Sequence, residues 1–361
     1  MDQCDNGSMN QSPSRPTWAE IDLAALAHNL RVIRDHVGDE VKILAAVKAN
    51  AYGHGAIECA RRLESEGVDW FGVALPEEGV ELRNAGIMRP ILCLGGFWSG
   101  QEAALLHQKL TPVVYRLDMI ESLDCVARNA SVVADVHLKI DTGMGRLGVR
   151  ADEVSAFCDA LTRLQNIRVD GLMTHLAAAD DESKEEFTDR QLNEFDQAVA
   201  IFRQRGFSPT FIHAANSAAT FAKRRAADNL VRPGGSLYGF TRDVFPGNID
   251  APQLRPVMSL HSTLPIGYDD GYRRALSNRA RVIIRGQFSP VVGRVSMDLT
   301  LIDVTDVAGV SLDDEVILLG CDKDLSITAE EFGELAGTIS YEITCGISGR
   351  VPRIYKHENT R

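Results

Sequence analysis

No apolar stretch in this chain of 361 residues approaches the roughly 20 that a membrane-spanning helix needs, so no transmembrane segment is expected. The opening MDQCDNGSMNQSPSRP lacks the apolar core of a secretory signal; polar and proline-containing, it predicts a disordered leader over residues 1–14. Cysteines number 7, an odd count, scattered from Cys4 to Cys345 with no C-x-x-C pair. That usage argues against a disulfide framework, implies no metal site, and fits reduced thiols in a cytoplasmic protein. Positive charge is in deficit: the net charge is −12 and the pI about 5.3. An acidic balance argues against nucleic acid or an anionic membrane as the main partner. Internal repeats and low-complexity tracts are also missing.

What is present is apolar residue enough for a sizeable core, 45% of the chain, and a length that suits two domains. From Arg15 to about Gly239, short apolar runs alternate with longer stretches of helical spacing. The runs are Ile43–Val47, Phe71–Ala74, Ile91–Leu94, Pro112–Tyr115, Ala134–Ile140, Val169–Thr174, Phe211–His213 and Leu230–Val231. Charged amphipathic stretches such as Ile57–Glu66 and Glu186–Arg205 lie between them, and the acidic cluster Asp180–Glu186 reads as a solvated loop and helix start. Alternating strands and helices predict a parallel sheet with right-handed crossovers, and eight strands suit a (β/α)8 barrel. The alternative is a doubly wound open sheet, but no G-x-G-x-x-G follows the first run, which weakens a dinucleotide reading. Past Thr241 comes a loop with three prolines, then runs rich in β-branched residues at Ala280–Ile284, Pro290–Val295, Leu299–Val304 and Glu315–Leu319, with one helix at Ala329–Gly337. The expected fold is α/β: a (β/α)8 barrel over 15–241 with a smaller, mainly-β C-terminal domain over 242–361.

Lys48 ends the first of these strands, and barrels carry their chemistry at strand C-terminal ends. The apolar wall Leu44–Val47 desolvates an amine placed there, lowers its pKa and frees its lone pair, the state needed to form an imine with an aldehyde cofactor. A lysine snorkelling at a strand end is the plainer reading of Lys48 taken alone. The segment Ala46-Val47-Lys48-Ala49-Asn50-Ala51-Tyr52-Gly53-His54-Gly55, however, resembles the cofactor-lysine signature of the alanine racemase family, enzymes that use pyridoxal 5'-phosphate (PLP). The likeness continues in order through Lys139–Gly148, Thr174-His175, His213–Ser217, Arg232-Pro233-Gly234, Tyr238-Gly239, Gly267–Gly271, Val292–Asp298, Ile339–Glu342 and Arg350–Arg353.

The resemblance implies an amino-acid racemase that interconverts L-alanine and D-alanine by two-base proton transfer on a PLP-linked substrate, supplying D-alanine for a bacterial cell wall. Lys48 and Tyr268 are then the catalytic candidates. Lys48, Tyr52, His175, Ser217, Arg232, Gly234, Gly235 and Tyr341 are the cofactor-binding candidates. Arg146 and Met297 face the substrate, and Lys139 matches a position that is often a carbamylated lysine. The phosphate fits the loops after barrel strands seven and eight, where Ser217 and Gly234-Gly235 lie; position alone also allows Ser217 to be a helix N-cap. Arg232 keeps its protons at ordinary pH, so it donates to the pyridine nitrogen and leaves the ring a weak electron sink. His175 is read as supporting Arg232, with a satisfied core histidine as the alternative. Met297 and Asp298 imply a homodimer with shared sites.

The resemblance breaks at one place. Pro256–Leu260 is followed at once by His261–Tyr268, without the family's tyrosine-bearing segment. Tyr268 is the nearest substitute and Tyr272 another, although Tyr268 belongs to a family motif that lines the substrate entrance, and its plainer reading is that it only shapes that entrance. A PLP-dependent decarboxylase on the same plan, and a non-catalytic PLP-binding protein, are the alternatives; Arg232 opposes the first and the β domain opposes the second.

Overall fold

The computed structural model describes residues 15–222, 228–245 and 252–357. The expected leader, and the middle of the proline-rich loop, lie outside the described residues. Eight parallel strands form the first unit: Lys42–Ala46, Trp70–Val73, Ile91–Cys93, Leu110–Val114, Ala134–Asp141, Ile167–Met173, Phe211–His213 and Leu230–Val231. They pair in that order from the first to the seventh, and the eighth returns to the first through Leu230↔Lys42 and Val231↔Ile43. Between the seventh and eighth, the Asn229 N–H donates to the Ile212 carbonyl at 3.2 Å and the Arg232 N–H to the Ala215 carbonyl at 3.0 Å. The sheet is thus a nearly closed barrel, and the open-sheet alternative falls away.

Sequence patterning explains the closure. Side chains along a strand alternate in direction. Leu44, Leu92, Val113, Met173 and Leu230 make a small core of their own, while neighbours such as Ile43, Ala45, Ile91 and Cys93 join the main core with the helices. Helix Leu23–Val37 presents Leu26, Leu30 and Ile33 inward and is capped by Asp22, whose carboxylate accepts from the Ala25 N–H at 2.8 Å. Helix Glu185–Gln204 does the same with Leu192, Phe195, Val199 and Phe202. Among the described residues no helix is long and apolar enough to cross a membrane.

The second sheet runs Leu301–Ile302, Gln287–Val292, Arg281–Ile284, Val316–Asp322, Met258–Ser262, Thr17–Asp22, Arg353–Lys356. It is antiparallel except for its last pair. It differs from the division at residue 15 in one strand: Thr17–Asp22 lies inside this sheet, between Met258–Ser262 and Arg353–Lys356. Its Thr-Trp-Ala-Glu-Ile-Asp pattern alternates buried and half-buried, as it must between one packed and one wetter face. The chain therefore enters through the β domain, builds the barrel and returns. Helix Ala329–Ala336 ends at Gly337 in the left-handed region, and a second helix, Ser340–Gly346, follows it.

Candidate active site

Lys48 lies two residues beyond the first barrel strand. From there the chain makes an unusual turn: Ala49, Asn50, Ala51 and Tyr52 all have φ between 52° and 54°. Left-handed backbone costs an L residue roughly 1–2 kcal/mol, so this run persists only because its surroundings hold it. The turn sets the Lys48 amine 6.0 Å from the Tyr52 ring.

The ends of the other strands converge on the same place. Lys139 and Arg146 come from strand five and its loop, Met173 and His175 from strand six. Asn216 and Ser217 follow strand seven, and Arg232, Gly234 and Gly235 follow strand eight. With Lys48, Tyr52 and Tyr341, they line one cavity of about 470 Å³. Tyr341 arrives on the helix Ser340–Gly346, so the second domain supplies part of the wall.

One end of the cavity is a cradle of hydroxyls and glycines. Ser217 Oγ accepts from the Gly234 N–H at 2.8 Å and the Ser236 N–H at 3.4 Å. Ser217 is not the helix cap that its position allowed: Asn216 is, accepting from the Ala219 N–H at 3.1 Å. A methyl group on Gly234 would collide with the Tyr52 hydroxyl, and one on Gly235 with the Tyr341 hydroxyl. Glycine is required here by space and not by dihedral angle.

The other walls are cationic. Burial pulls the Lys48 amine below its ordinary value, helped by the nearby Arg146 guanidinium. Burial, Arg146, Arg232 and Lys48 bring Lys139 down to about 8. Arg232 is brought to about 10 by burial and so stays charged near neutrality. Two carboxylates, Asp180 and Asp243, also line the cavity, and Asp243 is engaged by the Ser340 N–H at 3.0 Å. A chain of net charge −12 thus encloses a cation-rich pocket, which selects an anion.

Arg232 is held from the ends of strands six and seven. Its Nη1 donates to the His213 carbonyl and to His213 Nδ1, both at 3.0 Å, and its Nη2 donates to the carbonyls of Thr174 at 2.8 Å and Ala214 at 3.1 Å. Burial and the Arg232 charge keep His213 neutral. Since a guanidinium can only donate, His213 Nδ1 is the acceptor, and its Nε2 carries the proton donated to His137 Nδ1 at 2.9 Å. His213 and His137 were not singled out from the sequence, although His213 opens one of the quoted motifs. His175, read there as the support of Arg232, lines the cavity instead, and burial and the surrounding cations force it neutral.

Three tyrosine and methionine candidates lie elsewhere. Tyr268 is 40% exposed and Met297 52% exposed on the β domain, and neither lines this cavity. Tyr272 is buried beside Phe332, which removes it as a substitute proton donor.

The family model "Alanine racemase, N-terminal domain" matches residues 21–242, and "Alanine racemase, C-terminal domain" matches 257–355. Alanine racemase of Geobacter sulfurreducens is 44% identical over 381 aligned positions that cover 96% of this chain and 99% of that protein. That of Halothermothrix orenii is 41% identical, with 97% and 99% covered. Among solved structures, alanine racemase of Clostridium difficile 630 in complex with cycloserine superposes with a TM-score of 0.89 at 36% identity, covering 96% of this chain and 97% of that one. The Bacillus anthracis enzyme with bound L-Ala-P gives 0.86 at 32% identity, with 97% of each chain covered. Two domain models in order, near-complete coverage and a shared two-domain fold make this chain a member of the alanine racemase family.

Proposed function

We propose that this protein racemises alanine with PLP held in the cavity, Lys48 being its covalent anchor and one of two proton-transfer groups. The observation that carries this is one cavity lined both by a desolvated amine and by a hydroxyl–glycine cradle. An aldehyde that also bears a phosphate needs both. When bound, PLP supplies an electron-withdrawing ring that acidifies the Cα proton of an attached amino acid.

This chain's own residues do the rest. Ser217, Tyr52, Tyr341 and the Gly234-Gly235 backbone hold the phosphate without competition from water. Arg232, its two terminal nitrogens committed to four protein acceptors, would offer its remaining Nε–H to the ring nitrogen. Arg146 pairs with the substrate carboxylate, and Lys139 and His175 complete the wall around it. The Lys48 amine would move the proton on one face of Cα.

Inversion needs a second group on the other face, and we place it on a second copy of the chain. Tyr268, Met297 at 52% exposure, Leu299 at 58% and Leu301 at 64% leave the β domain with exposed apolar side chains. A homodimer covers these and brings Tyr268 and Met297 to its partner's cavity. The decarboxylase and non-catalytic readings find no support among the similar proteins.

L-alanine and D-alanine incubated separately in deuterated water should each gain deuterium at Cα and yield the other enantiomer. Exchange that never inverts would remove Tyr268 as the second group, and carbon dioxide release would overturn racemisation. The cradle has its own test. Gly235→Ala is expected to weaken PLP binding by roughly tenfold or more, since its methyl meets the Tyr341 hydroxyl in a close-packed wall. Fluorescence titration of the cofactor into stripped protein reads this, and unchanged affinity would put the phosphate elsewhere.

A further inference from the structure

The left-handed turn after Lys48 is held from outside by one carboxylate. Glu78 stands on the helix Pro76–Asn84, after the second barrel strand. Its Oε1 accepts from the Ala49 N–H at 2.6 Å. Its Oε2 accepts from the Ala74 N–H at 2.6 Å and the Leu75 N–H at 3.1 Å. The Ala49 N–H belongs to the peptide that leaves Lys48, and Ala74 lines the cavity itself. Glu78 therefore ties the end of strand one to the end of strand two at the point where the amine is aimed.

The turn has other internal ties. Asn50 Oδ1 accepts from the Ala56 N–H at 2.8 Å, and the Gly55 N–H donates to the Asn50 carbonyl at 2.9 Å. These close the far end of the turn. At the Lys48 end the Ala51 N–H donates to the Val47 carbonyl at 2.8 Å, and Glu78 reaches the first left-handed residue, Ala49, from outside the turn. Four consecutive L residues with positive φ are unstable unless each end is fixed.

The chemistry of the contact demands an anion. Three backbone donors converge on two oxygens, so the group must be acceptor-only. Glutamine has one acceptor oxygen; kept toward the two N–H groups of Ala74 and Leu75, it turns its NH2 against the Ala49 N–H, and that bond is lost. Glu78 also acts on Lys48 through its charge, opposing the effect of Arg146 and Arg232.

We propose that Glu78 is a positioning residue for Lys48: by clamping the Ala49 amide it holds the left-handed turn that aims the Lys48 amine into the cavity. The proposal rests on the reading of Lys48 as the cofactor anchor. It adds a residue that touches neither cofactor nor substrate and acts through the backbone.

The test compares Glu78→Gln and Glu78→Asp with the wild-type holoenzyme. In Glu78→Gln the cofactor absorbance persists, because Lys48 is still present, but its circular dichroism weakens as the link loses a fixed orientation. The midpoint of its pH titration moves down, since a negative charge near the amine is gone. The kcat for alanine falls by roughly tenfold or more with little change in KM, the pattern of a misaligned reacting group. Amide hydrogen exchange in the peptide spanning 48–53 speeds up. Glu78→Asp keeps the charge and restores the titration midpoint, while its shorter reach leaves exchange fast. The proposal is overturned if Glu78→Gln keeps wild-type dichroism, titration and kcat, or if it merely unfolds at lower temperature. It is also overturned if Glu78→Gln does not fold and Glu78→Asp matches wild type in exchange and kcat. Failure of the underlying reading looks different: wild-type absorbance would then survive Lys48→Ala, whatever Glu78 does.

Discussion

Lys48→Ala is expected to lose racemisation by roughly 10⁴-fold or more and to lose the cofactor absorbance band, with the fold intact. The size follows from two roles vested in one amine. As nucleophile it makes the covalent link, and as base it moves the Cα proton; either loss alone costs roughly 10²–10⁴-fold. Stability should hold because the lost group is a cation in a cationic pocket. Burial and Arg146 already disfavour its charge, so removing it relieves repulsion. The competing anchor is Lys139, whose amine faces the same cavity and is brought down to about 8. Geometry favours Lys48, which alone of the two rides the left-handed turn beside Tyr52. Visible absorbance at matched cofactor loading, a chiral assay of alanine and a thermal melt distinguish them. A stoichiometric band that survives Lys48→Ala and vanishes in Lys139→Ala would transfer the anchor to Lys139. Lys48→Arg controls for charge, since a guanidinium keeps the cation but makes no such link.

The barrel was legible because strands buried on both faces leave continuous apolar runs, and all eight runs became strands within one or two residues of their expected ends. Thr17–Asp22 was not legible in the same way. A lone alternating strand at the start of a chain carries no mark of which sheet it joins, and its partners come from Met258–Ser262 and Arg353–Lys356, more than 200 residues later. Within the site, position and motif pointed to residues past the strand ends, and nine of these share the cavity with Tyr341 from the second domain. What escaped was the network behind them. His213 and His137 point into the core, where sequence periodicity gives burial but not the donor each nitrogen meets. Glu78 was not singled out, because nothing local in the sequence announces that its carboxylate reaches Ala49. Tyr268 and Met297 stand apart for a different reason: they lie exposed on the β domain, outside this cavity, and their motif carries no sign of which surface they face.

Arg232→Lys is expected to destabilise the protein by about 2–5 kcal/mol and to lower racemisation by roughly 100-fold, despite keeping the charge. Arg232 is 7% exposed, and its two terminal nitrogens serve four acceptors that belong to the ends of strands six and seven. A planar fork can span that separation, whereas an ammonium donates from one point. Lysine offers three N–H groups from one point to four acceptors on two strand ends, so one or two of the Thr174, His213 and Ala214 carbonyls and His213 Nδ1 go without a donor, each costing roughly 1–3 kcal/mol. The loss propagates. With no donor at Nδ1, His213 is free to take the other tautomer, and the bond from its Nε2 to His137 Nδ1 reverses or breaks. The strand ends that carry Ser217 and His175 then lose their common brace, and the cavity loses the guanidinium that lines it. Urea unfolding with an unchanged slope would report the stability loss. A chiral assay at saturating cofactor would report the activity loss, separating it from weaker PLP binding. Stability within about 0.5 kcal/mol of wild type, in the range of ordinary surface substitutions, would mean that the guanidinium is not the brace these four bonds make it.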